Sequence, residues 1–186
     1  MVAPPRYNRM GPRSTNVGYS VKGFVKLGLV ILLFVFLGLI VYETAVVQKK
    51  PVTNEQVCNI MIGYGYEPQD ITNKYYQRDP DFKETLIKCI AVEKNDIRFD
   101  FFEFNNQNSA ESVFSQAYND FITQYDDIKK IESDNQSKNV RIYTLDSSGK
   151  YCVAIYVSNT AVYAYCNSEN KNEINIILDA IDYLEH

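Results

Sequence analysis

The chain has no Trp and one His, and that His is the terminal residue His186. Chain ends fray unless they are tied down, so an imidazole there is a poor general base. Ser-His-Asp and Cys-His arrangements are therefore not expected. There is no CxxC pair to found a zinc site. No DxDxDG run offers a calcium loop. Neither GxGxxG nor GxxxxGK[ST] occurs, so nucleotide use and phosphoryl transfer have no support. The residues nominate no catalytic group, no cofactor and no metal ligand. Internal repeats long enough for a solenoid are also missing.

What stands out instead is Leu27 to Tyr42, LGLVILLFVFLGLIVY, sixteen residues without a charge. At ~1.5 Å per residue it covers ~24 Å as a helix, short of the ~30 Å hydrocarbon core. Apolar flanks extend the expected span to residues 21–47, with Lys22 and Lys26 able to snorkel. A cleaved signal peptide is the rival reading. The run is longer than a usual h-region, and no small-x-small cleavage site follows it. Arg6, Arg9, Arg13, Lys22 and Lys26 precede the run, against Lys49 and Lys50 after it. That bias predicts a single-pass membrane protein with a cytoplasmic N-terminus and an extracytoplasmic C-terminal domain. The lipid bilayer is then a partner through residues 21–47. The basic, Pro- and Gly-containing residues 1–20 read as a disordered tail that fixes topology or touches anionic lipid.

Residues 51–186 hold 12 basic and 22 acidic residues, net −10. Such a surface repels phosphate backbones, so no nucleic acid partner is expected. One core is expected for a piece of this length. After a linker at 48–52, Thr53 with Gln56 predicts a capped helix, and Gly63 and Gly65 end it. The stretch from Tyr64 to Phe82 reads as loop with a short strand near Asp70–Asn73. Thr85–Glu93 and Ile97–Phe104 read as a hairpin around Asn95-Asp96. Ala110, Val113, Phe114, Ala117, Phe121 and Tyr125 recur at helical spacing. The charged run from Asp126 to Asn139 reads as a surface loop. Val140–Leu145, Tyr151–Val157 and Ala161–Cys166 read as strands, and Ile174, Ile177, Leu178 and Ile181 mark a closing helix. The expected architecture is α+β. It has two layers, a mostly antiparallel sheet of five or six strands and three helices, occupying residues 53–186, with one sheet face left wet.

All four cysteines, Cys58, Cys89, Cys152 and Cys166, fall after the apolar run. An even count in an oxidising compartment predicts two disulfides. Four reduced thiols are the alternative. If Ser158-Asn159-Thr160 is a three-residue loop, Cys152 sits opposite Cys166 on one face. Cys58 would then pair with Cys89. A two-residue turn would put the hairpin cysteines on opposite faces.

The segment GKYCVAIYVSNTAVYAYCNSENKNEINIILDAIDYL, with FDFFEF and SAESVF before it, resembles the end of small extracytoplasmic α+β domains. Those domains belong to single-pass membrane proteins and lipoproteins of Gram-positive bacteria. The resemblance spans about residues 85–184 and implies a compartment and a fold but no site. Cysteines at 152 and 166 depart from the aromatic or aliphatic residues usual there.

Tyrosine is abundant, 15 in all. Tyr64, Tyr66, Tyr75 and Tyr76 fall in the loop-rich stretch, and Tyr156, Tyr163 and Tyr165 in the last hairpin. Tyr combines apolar area with a hydroxyl, which suits a protein, peptide or glycan partner; core and edge filling is the plainer role. Asp126-Asp127 and the set Asp179, Asp182 and Glu185 are the carboxylate candidates. The helical spacing of that set fits a solvated face better than a site. The expected function is a membrane-anchored, non-enzymatic binding or scaffolding domain of the cell envelope. Two alternatives stay open. One is an accessory subunit of a membrane complex, which no GxxxG motif supports because Gly28 and Gly38 are too far apart. The other is a carboxylate-dependent hydrolase.

Overall fold

The computed structural model describes residues 30–37, 48–78, 81–125, 131–137 and 139–184. The chain divides into two compact units, Met1–Val46 and Val47–His186. In the first, residues 30–37 form helix α1, apolar and exposed on every side. Eight residues rise only ~12 Å, and among the described residues no helix is long and apolar enough to cross a membrane. This overturns the expected single-pass helix over 21–47. The cell-membrane localisation and extracytoplasmic placement that depended on it go with it. The rest of that stretch, and the tail at 1–20, lie outside the described residues.

The second unit runs α2 (Asn54–Gly63), β1 (Gln69–Asp70), α3 (Thr72–Arg78), α4 (Phe82–Thr85), β2 (Leu86–Lys94), β3 (Ile97–Phe104) and α5 (Gln107–Gln124). Then follow β4 (Ile131–Ser137), β5 (Val140–Ser147), β6 (Lys150–Val157), β7 (Thr160–Asn167) and α6 (Lys171–Ala180). Every strand pairs antiparallel in one sheet of order β1-β2-β3-β7-β6-β5-β4. Helix α5 carries the chain from β3 to the far edge, and the meander β4 to β7 returns beside β3.

Local chemistry sets the element ends. Thr53 caps α2 through its hydroxyl on the Gln56 N–H, and the Gln56 side chain accepts from the Thr53 N–H at 2.9 Å. Asn106 caps α5 by accepting the Ser109 N–H at 2.9 Å. The hairpin turns place Asn95 and Ser158 at positive φ, 58° and 52°, as tight two-residue turns require. The linker at 48–52 is pinned to the end of the chain. Lys49 Nζ donates to the carbonyls of Asp182 and Leu184, at 2.8 and 2.7 Å.

The expected two-layer domain with five or six strands and three helices is corrected to three layers. Its described residues hold seven strands and five α-helices, and α1 of the first unit makes six. Helices α2 and α6 cover one face of the sheet over Ile90, Phe99, Phe101, Val153, Ile155 and Val162. Helix α5 covers the other over Phe102, Phe104, Tyr143, Leu145, Cys152 and Tyr156. With both faces buried, β6 is buried at every position but its first, as strands covered on two sides are. Each fully buried Phe or Leu contributes about 1.5–3 kcal/mol. Three elements were not expected: α3, which follows a two-residue β1, the short α4, and β4. Strand β4 is polar after Ile131, and its neighbour β5 supplies the ladder and the Arg141–Asp134 ion pair at 2.7 Å.

The disulfides are also corrected, because all four cysteines are free thiols. Thr160 joins the strand, so Val157 pairs with Thr160 across a two-residue turn. Its hydroxyl bonds the Val157 carbonyl at 2.8 Å and meets the Tyr183 hydroxyl. Asn159 is held separately, its side chain donating to the Phe104 carbonyl at 2.6 Å. The register therefore sets Cys152 against Tyr165 and Cys166 against Tyr151. Cys152 lies under α5 and Cys166 under α2 and α6. Burial pushes both thiols up to about 12 and Cys89 higher still. Only Cys58, on α2, reaches solvent. A maleimide or disulfide-exchange reagent should label one thiol in the native full chain and four after unfolding. Labelling of two or fewer thiols in the unfolded, unreduced protein would show that disulfides form.

Candidate functional site

The residues that gather around an opening come from strand parity. Arg98, Asp100 and Phe102 alternate along β3 and share one face; Tyr165, Tyr163 and Ala161 face them in turn from β7. Helix α5 packs on β3, β6 and β7, while α3 packs on β2. Between the two helices lies a cleft of about 690 Å³. Its floor includes Arg98, Asp100 and Phe102; one wall is Lys74, Tyr75 and Arg78 of α3 with Phe82 of α4. The other wall is the α5 row Val113, Gln116, Ala117, Asn119 and Asp120, with Tyr163 and Tyr165 rising from β7.

The floor carries a buried ion pair. Asp100 is 2% exposed. Arg98 Nη2 donates to its Oδ2 at 3.0 Å, and the Tyr75 hydroxyl donates to the same oxygen at 3.0 Å. Arg98 Nε lies 2.6 Å from Oδ1. That contact is an ion pair, and Oδ1 has no hydrogen-bond partner among the described residues. On the outer side, Arg98 Nη1 donates to Glu93 at 2.7 Å. Burial raises the Asp100 carboxyl above its ordinary range, and the guanidinium and Tyr75 pull it only part of the way back. Burial also works against the Arg98 charge, and Asp100 more than restores it. The Tyr75 phenol is driven up by burial and then by the neighbouring Asp100 charge.

Aromatic edges and faces complete the opening. Tyr75 stands edge-on to Phe102 at 4.9 Å. Tyr163 stacks on Phe121 at 5.1 Å and meets Tyr165 edge-on at 5.7 Å. Both β7 tyrosines remain half-exposed. Burial, then the nearby Tyr165, keeps the Tyr163 phenol protonated well beyond its usual range.

The seven tyrosines named from the sequence thus separate. Tyr75, Tyr163 and Tyr165 meet in the cleft. Tyr64 is exposed at the end of α2. Tyr66 is buried and donates to Glu173 at 2.6 Å. Tyr76 donates to the Leu86 carbonyl at 2.8 Å. Tyr156 is buried edge-on against Phe114 at 5.6 Å. The acidic candidates do not converge. Asp179 and Asp182 sit exposed at the end of α6, across the sheet from the cleft, and Asp182 faces Lys49 at 3.8 Å. Asp126, Asp127 and Glu185 lie outside the described residues. The sequence reading missed Arg98 and Asp100. Their signal was present: two opposite charges at i and i+2 in the apolar strand IRFDFFEF must share a face. Lys74, Arg78, Gln116 and Asp120 had none, because polar residues on a helix rim look like any solvated face.

A scan of family models finds no match, and a search of curated proteins finds none either. Among solved structures, the crystal structure of a GTP binding regulator from Thermotoga maritima is similar to this chain at TM-score 0.43 and 10% identity. The match covers 75% of this chain and 94% of that one. So loose a likeness transfers neither fold nor function.

Proposed function

We propose that the second unit is a non-catalytic binding module that takes a small ligand in the cleft between α3 and α5. The observation that carries this reading is the buried Arg98–Asp100 pair, 2.6 Å apart, flooring an opening with half-exposed Tyr163 and Tyr165. An apolar pair would stabilise a sheet as well or better, since desolvation consumes most of what a buried ion pair gains. Fixed donors and aromatic rings at an accessible concavity are what ligand sites need. A carboxylate hydrolase is the second reading, favoured by Asp100 and Asp120 lining the same cleft. Against it, Arg98 and Tyr75 both donate to Oδ2 and the Arg98 guanidinium lies against Oδ1, so Asp100 is paired as a buried counter-ion.

The test is a ligand-observed NMR screen of a small-molecule library against the full chain. It is repeated with Tyr165→Ala and Arg78→Ala. Hits should lose at least about tenfold in affinity in Tyr165→Ala, a loss of ~1.4 kcal/mol, and be recovered chemically unchanged. Hits indifferent to both substitutions would move the site elsewhere. A hit that is consumed would favour the hydrolase.

A further inference from the structure

We infer that the ligand of this cleft is a neutral saccharide, an inference that rests on the cleft being a binding site. The charges at the opening are mixed and divided between the walls. Lys74 and Arg78 lie one turn apart on α3, and Asp120 stands on α5 opposite. An anion in the cleft would gain the α3 cations but face Asp120 and the carboxylate beneath the floor. A cation would meet Lys74, Arg78 and Arg98. Opposed charges of this kind cancel for an ion and cooperate for a hydroxyl, which accepts from a cationic N–H while donating to a carboxylate.

Gln116 and Asn119 add amide groups to the α5 wall. Amides donate and accept at once, again matching hydroxyls rather than a single charge. Floor rigidity points the same way. Arg98 is fixed by Asp100 and Glu93, so its remaining N–H groups are held in place at little further entropic cost on binding. Half-exposed aromatic rings supply the remaining element. The C–H face of a pyranose is apolar and packs on an aromatic ring, and Tyr163, Tyr165 and Phe82 present rings at the cleft. The volume of about 690 Å³ lies within the 300–1,000 Å³ usual for small-molecule sites and leaves room for more than one sugar ring. A purely apolar ligand would desolvate Lys74, Asp120 and the amides without replacing their hydrogen bonds.

The experiment is a glycan array followed by titration calorimetry with the full chain. The soluble probes are cellotriose, maltotriose and N,N′-diacetylchitobiose. Glucuronate stands for an anion, spermidine for a cation, and phenylalanine for a zwitterion. Tyr165→Ala and the rim substitution Asp120→Ala are carried in parallel, with melting curves to show that each is folded. The expected result is binding of at least one neutral glycan. That binding should weaken about tenfold in folded Tyr165→Ala and several-fold in Asp120→Ala, with little change between low and high salt. Binding of only glucuronate, spermidine or phenylalanine, lost in the same variants, would overturn the saccharide and keep the binding module. Glycan binding that neither substitution affects would overturn the placement in this cleft. No binding by the array, the probes and the wider library would overturn both readings.

Discussion

Arg98→Ala should lower the unfolding free energy by about 3–5 kcal/mol at neutral pH, because it leaves a buried carboxylate without its counter-charge. Asp100 is 2% exposed and would keep only the Tyr75 hydroxyl at 3.0 Å. Two features separate this loss from simple truncation. The double variant Arg98→Ala with Asp100→Asn should recover much of the stability, since no charge is then left buried. The loss should also depend on pH in a defined direction. Burial already holds the Asp100 pKa above its ordinary 3.8, and removing the guanidinium raises it further. A raised folded-state value means the contribution to stability is complete below the unfolded value and is lost as pH rises through the folded one. Relative to wild type, Arg98→Ala should therefore be most destabilised at pH 7 to 8 and less so near pH 5. Urea unfolding at each pH measures this. A flat difference across that range, or no recovery in the double variant, would show that Asp100 carries no buried charge.

Phe114→Ala is expected to cost about 3–5 kcal/mol for a different reason. The ring is 1% exposed on the α5 stripe. It packs edge-on to Tyr156 at 5.6 Å and stacks with Tyr118 at 6.2 Å, and the Arg141 guanidinium lies 4.9 Å from its centroid. Its removal opens a cavity in the layer that also forms one wall of the cleft. The cost should not vary between pH 5 and 8, in contrast to Arg98→Ala. A loss under 1 kcal/mol would mean that α5 does not pack on the sheet through this face.

The helices that cap and cover the sheet could be read from residues alone. Thr53 with Gln56 marked α2, and the stripe from Ala110 to Phe121 marked α5, because both signals are local. The number of layers could not be read from any one helix. It was written in β6, where Tyr151 to Val157 runs apolar without alternation, the pattern of a strand covered on both faces rather than one. The disulfide expectation failed at one residue. Thr160 reads equally well as the last of a loop or the first of a strand, and only the hydrogen bonds of its side chain to Val157 and Tyr183 decide. That single step of register turned Cys166 to the opposite face. The membrane expectation rested on a run of ~24 Å extended by its flanks, while the helix described there is residues 30–37. The cleft was half legible. Tyrosine abundance pointed to Tyr75, Tyr163 and Tyr165 among seven candidates, but which of them meet depends on β3 lying beside β7. Strands so far apart in sequence are brought together by the α5 crossover, and no local pattern reports it.

The most direct measurement of whether the cleft is a binding site is a ¹H–¹⁵N shift map of the full chain, titrated with the tightest hit from the library or the glycan array. The account predicts saturable shifts at Lys74 to Arg78, Arg98 to Phe102, Gln116 to Asp120 and Tyr163 to Tyr165, with α6 unmoved across the sheet. Shifts centred on α6 or on the β4 edge, with the cleft silent, would contradict it.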